Sequence, residues 1–218
     1  MSAFPSVTED CDSVAKRFKK SRFGKVLRVP GARGAGTGYP HAKLVEFFTQ
    51  ERVNAIVNCN CNSCPGSNPS LDRPFKDDLV SKIRNKDNSY VSVLAFLLLH
   101  SECRFITSFI DKGYSDRELA SHHILKEYEL NELLELETDC NNADYITFFQ
   151  FFIPVLWYKD RHNAQPRTIH ELQVLPFHTI RKIGGGGYSN VFEAIMLERY
   201  HDFEEVKVCP WHQSNEGI

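Results

Sequence analysis

The stretch from Tyr90 to His100 constrains this chain more than any other. From Val91 to Leu99 every residue except Ser92 is apolar. That run is far short of the roughly 20 apolar residues a membrane helix needs, and it is apolar on every side, so it predicts a core helix that the rest of the chain must wrap. With 218 residues, 42% of them hydrophobic, the chain is long enough to build one such core and a small appendage.

The segments around it read as the helices that do the wrapping. From His41, the apolar residues Leu44, Val45, Phe47, Phe48, Val53, Ile56 and Val57 recur at three-and-four spacing, which predicts helix up to about Asn58. Pro65 to Pro74 is rich in turn residues and reads as a loop, and Phe75 to Arg84 resumes the helical pattern. Cys103 to Gly113 sets Phe105, Ile106, Phe109 and Ile110 on one face, with Gly113 as C-cap. Ser115-Asp-Arg-Glu118 has capping-box spacing. Glu127 to Glu137 alternates carboxylates with leucines, the pattern of a solvated helix face. Tyr145 to Trp157 is the most aromatic stretch; its acidic and apolar neighbours favour a core strand or a docking surface over base stacking. No period repeats along the chain. The fold class expected is mainly α: a helical module over residues 41–160, then a short β-hairpin.

One loop in this module carries candidate chemistry. Cys59-Asn-Cys61-Asn-Ser-Cys64 places three thiols on a polar turn after the predicted helix end. Thiolates at that spacing can converge on Zn²⁺, which takes four ligands in structural sites. A fourth ligand is not adjacent, so His41 or a distant cysteine such as Cys103 would have to fold back. The alternative is that Cys59, Cys61 and Cys64 are ordinary packed or exposed cysteines.

The flanks read differently. Residues 1–40 combine a basic run, Lys16, Arg17, Lys19, Lys20, Arg22, Lys25 and Arg28, with the glycine-rich Pro30 to Gly38, and are expected to form a flexible arm. No strand leads into Gly31 to Gly38 and no G-K-[ST] follows, which excludes a phosphate-binding P-loop there. Residues 161–176, punctuated by Pro166, read as a linker, and His162 and His170 within it and His178 beyond it imply no ligand constellation. A formal net charge of −2 predicts no strong field for nucleic acid, and no span long enough for a membrane is expected. Seven cysteines without a signal-peptide pattern predict reduced thiols in an intracellular protein, cytoplasmic or nuclear.

The second stretch with chemical potential is near the end. Ile180-Arg-Lys-Ile183 and Val191-Phe-Glu-Ala194 read as two strands, separated by Gly184, Gly185, Gly186 and Gly187. A turn of glycines can fold closely over a ligand and present backbone N–H groups to phosphate oxygens.

This segment resembles the glycine-rich loop of eukaryotic protein kinases, G-x-G-x-x-G-x-V. Ile183 precedes the motif, Gly184 and Gly186 match its first two glycines, Tyr188 matches the aromatic at the loop tip, and Val191 the valine beneath adenine. Ser189 stands where the third glycine belongs. The helical phrase Arg104 to Gly113 is similar to one preceding the kinase domain in fungal predicted kinases. The resemblance implies that residues 177–218 are an incomplete kinase small lobe, that Gly184, Gly185, Gly186, Gly187, Tyr188 and Ser189 cover the phosphates of ATP with Mg²⁺, and that Lys207 takes the place of the strand lysine. It also implies a serine/threonine-type kinase with a protein substrate.

No H-R-D, D-F-G or A-P-E occurs in the chain, and phosphoryl transfer requires the groups those motifs supply. The expectation is therefore an N-terminal kinase fragment, inactive by itself, with no catalytic residue to assign. The alternative is a non-catalytic helical module that binds a protein partner and carries a kinase remnant.

Overall fold

The computed structural model describes residues 10–21, 38–68, 72–121, 125–135, 147–148, 151–152, 174, 176–186 and 190–196. Among these are eight α-helices: α1 (Cys11–Lys20), α2 (His41–Phe47), α3 (Gln50–Val57), α4 (Arg73–Ile83), α5 (Val91–His100), α6 (Ile106–Asp111), α7 (Asp116–Ser121) and α8 (Glu127–Leu133). Two strands follow, β1 (Phe177–Gly185) and β2 (Asn190–Met196). The chain is mainly helical with a β-hairpin near its end, as the hydrophobic pattern predicts.

Helix α5 is the axis. All its residues from Val91 to Leu98 are buried, Ser92 included. Around it lie Val53, Ile56 and Val57 of α3, Leu79, Val80 and Ile83 of α4, Ile106 and Phe109 of α6, and Leu130 and Leu133 of α8. Phe148, Phe151 and Phe152 join the same core, Phe148 and Phe151 packing on Phe96 at ring-centroid distances of 5.2 and 5.9 Å. Thr147 and Phe148 are helical, so the described aromatics of this stretch, expected as a core strand or a docking surface, serve the core from helix and turn; the rest of 145–157 lies outside the described residues.

Local chemistry sets the helix ends. The pattern from His41 to Asn58 is two helices, because the side chain of Thr49 caps a new start by accepting from the Arg52 N–H. Asp72 caps α4 by accepting from the Phe75 N–H at 2.9 Å, with Pro74 in the first turn, so Pro74 belongs to the helix and not to the preceding loop. Gly113 ends α6 at φ +74°; its N–H reaches Ile110 O and that of Tyr114 reaches Phe109 O, the paired closure that favours glycine.

Part of the stretch 1–40 expected as a flexible arm is helix α1, packed on the module, while 1–9 and 22–37 lie outside the described residues. Along this helix, which carries the first half of the basic run, Cys11, Val14 and Phe18 lie at i, i+3 and i+7 and are all buried. Phe18 sits among Tyr39, Phe47, Phe48 and Phe151, with ring centroids 5.5 to 6.4 Å away. Lys16, Arg17, Lys19 and Lys20 face solvent. Composition marked the charged face; the buried face decides the structure.

Strands β1 and β2 pair antiparallel, with Arg181 opposite Glu193 and Gly184 opposite Val191. Arg181 and Glu193 form an ion pair at 2.7 Å. Ile183, Val191 and Ile195 are more than half exposed. Among the described residues no helix is long and apolar enough to cross a membrane.

Candidate metal centre

The cysteine loop begins where α3 stops. Cys59 N–H bonds Ile56 O at 3.2 Å, and Cys64 N–H bonds Cys61 O at 3.0 Å, which folds Cys61 to Cys64 into a tight turn. Ser67 N–H closes on Cys64 O at 3.2 Å, and Arg104 N–H pins Ser63 O at 2.9 Å from the neighbouring segment. Gly66 packs flat against this loop: a Cβ there would stand 2.5 Å from Cys59 O and 2.8 Å from Val57 O. Backbone cannot retreat cheaply, so only glycine fits.

The turn brings Cys59, Cys61 and Cys64 together, and the fourth sulfur comes from Cys11, the first residue of α1. All four Sγ atoms lie within 4.8 Å of one another. Cys11 Sγ is 3.1 Å from Cys59 Sγ and 3.5 Å from Cys61 Sγ. The edge of a ZnS₄ tetrahedron is about 3.8 Å, from a Zn–S bond of about 2.3 Å, which falls between the two short separations and the 4.8 Å bound on the set, so small adjustments of the sulfurs seat one ion. Four thiol ligands form a soft donor set suited to Zn²⁺ or an iron–sulfur centre, not to Mg²⁺ or Ca²⁺. The cysteines are free.

The environment of each sulfur differs. Burial, reinforced by the Cys59 and Cys61 thiols, pushes the Cys11 thiol well above the usual range. Cys64 is pushed up by its hydrogen bond with Cys103 and by burial. For Cys59, burial raises the value, but hydrogen bonding with Cys11 and Cys61 outweighs it and the net shift is downward. Cys61 is the exposed member and gives the cluster its opening to solvent.

Neither fourth ligand considered from sequence belongs to the set. Cys103 is buried beside Cys64 but outside the four-sulfur group. His41 is engaged elsewhere. Its Nε2 lies 2.8 Å from Ser89 Oγ and 3.2 Å from Asp116 Oδ2, while the Ser89 hydroxyl donates to Asp116 at 2.7 Å.

Serine, histidine and aspartate together invite comparison with a hydrolytic triad, and the geometry argues against it. A triad puts serine and aspartate on opposite imidazole nitrogens; here one nitrogen meets both, and the serine proton is committed to the carboxylate. Asp116 is instead a cap for α5. It accepts the N–H groups of Ser92 at 3.0 Å and Val93 at 3.1 Å, at a helix start whose own N-cap, Tyr90, supplies no side-chain bond.

The hairpin residues divide. Ile183, Gly184, Gly185, Gly186 and Val191 lie on β1, just past it or on β2, all exposed, and a Cβ at Gly184 or Gly186 would meet nothing within 4 Å. Gly187, Tyr188, Ser189 and Lys207 lie outside the described residues. Comparison with known proteins finds no match to this chain, whether among family models, curated proteins or solved structures. The kinase resemblance accordingly rests on the hairpin and helical residues quoted for it.

Proposed function

We propose that this chain is a non-catalytic helical protein-interaction module stapled by one structural Zn²⁺, held by Cys11, Cys59, Cys61 and Cys64. The observation that carries the reading is the convergence of four sulfurs from two distant segments within 4.8 Å. A full set of protein ligands leaves no open position for substrate or activated water, which is the mark of a structural and not a catalytic zinc site. Thiolate ligation needs reduced cysteines, in keeping with an intracellular, cytoplasmic or nuclear, location.

The test is metal content and its effect. Protein purified with Zn²⁺ and without chelator carries one zinc per chain by atomic emission, and Cys59→Ser or Cys64→Ser abolishes it. A metal-free chain, or one that takes up zinc equally well without these cysteines, overturns the reading. Iron in place of zinc would revise the ion and keep the site.

A second reading has its own observation. The antiparallel hairpin with Gly184 facing Val191, and open space at Gly184 and Gly186, suits the N-terminal fragment of a serine/threonine-type protein kinase whose glycine-rich loop covers ATP with Mg²⁺. Ile183, Gly184, Gly185, Gly186, Gly187, Tyr188, Ser189, Val191 and Lys207 would then be its nucleotide contacts. Millimolar ATP with Mg²⁺ raises the melting temperature on this reading, because a ligand that binds only the folded state stabilises it. The interaction-module reading predicts no shift, and both predict no phosphoryl transfer.

A further inference from the structure

We infer that the metal is a latch for α1, so that zinc occupancy sets whether this helix lies docked in its aromatic slot or comes free. The inference rests on the zinc reading above. Three ligands come from a single loop fixed by backbone bonds to the turn after α3 and to Arg104. The fourth comes from a segment 48 residues away from Cys59. Cys11 is therefore the ligand whose attachment does mechanical work on the fold, joining α1 to the module.

The rest of α1's anchorage is thin. Besides Cys11 only Val14 and Phe18 are buried, and its remaining positions are exposed or half-buried. Ten residues are too few to stay helical in isolation, and ordering them costs about 1–2 kcal/mol of backbone entropy per residue, which burial of Val14 and Phe18 offsets only in part. The metal bond at the helix's first residue tips that balance.

Phe18 is the occupant of the slot lined by Tyr39, Phe47, Phe48 and Phe151. Release of Cys11 lets Phe18 withdraw, and the aromatic rings it covers become accessible. Cys11, Val14 and Phe18 share one core with α5, to which α3, α4, α6 and α8 also contribute, and the latch requires that these other elements keep α5 covered when α1 leaves. Zinc removal thus changes one face of the module, and the change reverses when zinc returns.

Hydrogen exchange read by mass spectrometry on the full chain tests this, with and without Zn²⁺, the metal being withdrawn by EDTA and added back. Amides of 11–20 should lose about tenfold or more of their protection on metal removal and regain it with Zn²⁺, while 91–100 stay protected. Cys61→Ser, a change outside α1, should reproduce the loss. Equal protection of 11–20 in both states overturns the latch, as does a parallel collapse of 91–100, which would make the metal a determinant of the whole fold. Zinc content, measured separately, keeps the two proposals distinct: one zinc per chain with an indifferent α1 sinks the latch alone, and a chain that binds no zinc sinks both.

Discussion

Gly66 shows how a single atom can govern a site it does not belong to. Its missing side chain lets the turn after Cys64 lie against the carbonyls of Val57 and Cys59. Gly66→Ala should lower stability by roughly 1–3 kcal/mol, the ordinary range for overpacking, and weaken zinc retention. Chemical denaturation and a competitive chelator titration read the two effects; an unchanged protein would mean the loop can shift freely.

His41 supplies a pH prediction of definite sign. Its side chain is 43% exposed. Burial opposes the charged imidazolium, but the hydrogen bond to Asp116 and its negative charge prevail and raise the pKa above the usual value. A raised folded-state pKa means protonated His41 stabilises the fold fully below about pH 6.5, and that contribution fades as pH rises through the folded value. His41→Gln should flatten this part of the stability profile. Asp116→Asn should remove it too, at the further cost of a weakened α5 cap, and a profile that kept its slope in both variants would contradict the assignment.

Among the elements, α5 was the most legible in sequence, because a run apolar on all sides admits one environment. The helices packed on it followed from spacing, and Gly113 and Ser115 sit where capping chemistry puts them, Ser115 Oγ accepting the Glu118 N–H at 3.3 Å. The role of Asp116 as cap of α5 was not legible, because its partners Ser92 and Val93 lie on another helix. Helix α1 was the least legible. Its charge count, Lys16 through Lys20, spoke for a solvated arm, and its fold depends on three residues, Cys11, Val14 and Phe18, whose partners lie far along the chain. Phe18→Ala should cost about 3–5 kcal/mol if the helix stays docked around the cavity, and less if α1 simply releases; the denaturation midpoint with zinc present against absent separates these outcomes.

The candidate site divides along the same line. Cys59, Cys61 and Cys64 were visible as a local spacing. Cys11 was not, because ligands joined only by tertiary structure leave no mark in a window of sequence. Across the whole molecule, this long-range bond is the point of the site. Closing the 48-residue span between Cys11 and Cys59 removes freedom from the unfolded chain, and by analogy with a disulfide is worth about 4 kcal/mol. The hairpin, by contrast, was legible in its two strands, and its chemical meaning depends on residues beyond the pairing itself.

The most direct measurement is the zinc content of the purified full chain alongside that of Cys11→Ser, at equal protein concentration in a chelator-buffered Zn²⁺ series. The four-sulfur centre predicts one zinc per chain, and an affinity at least about tenfold weaker when Cys11 is replaced, a loss of about 1.4 kcal/mol or more. Zinc bound equally by both proteins would contradict the centre, since Cys59, Cys61 and Cys64 would then be binding it without α1.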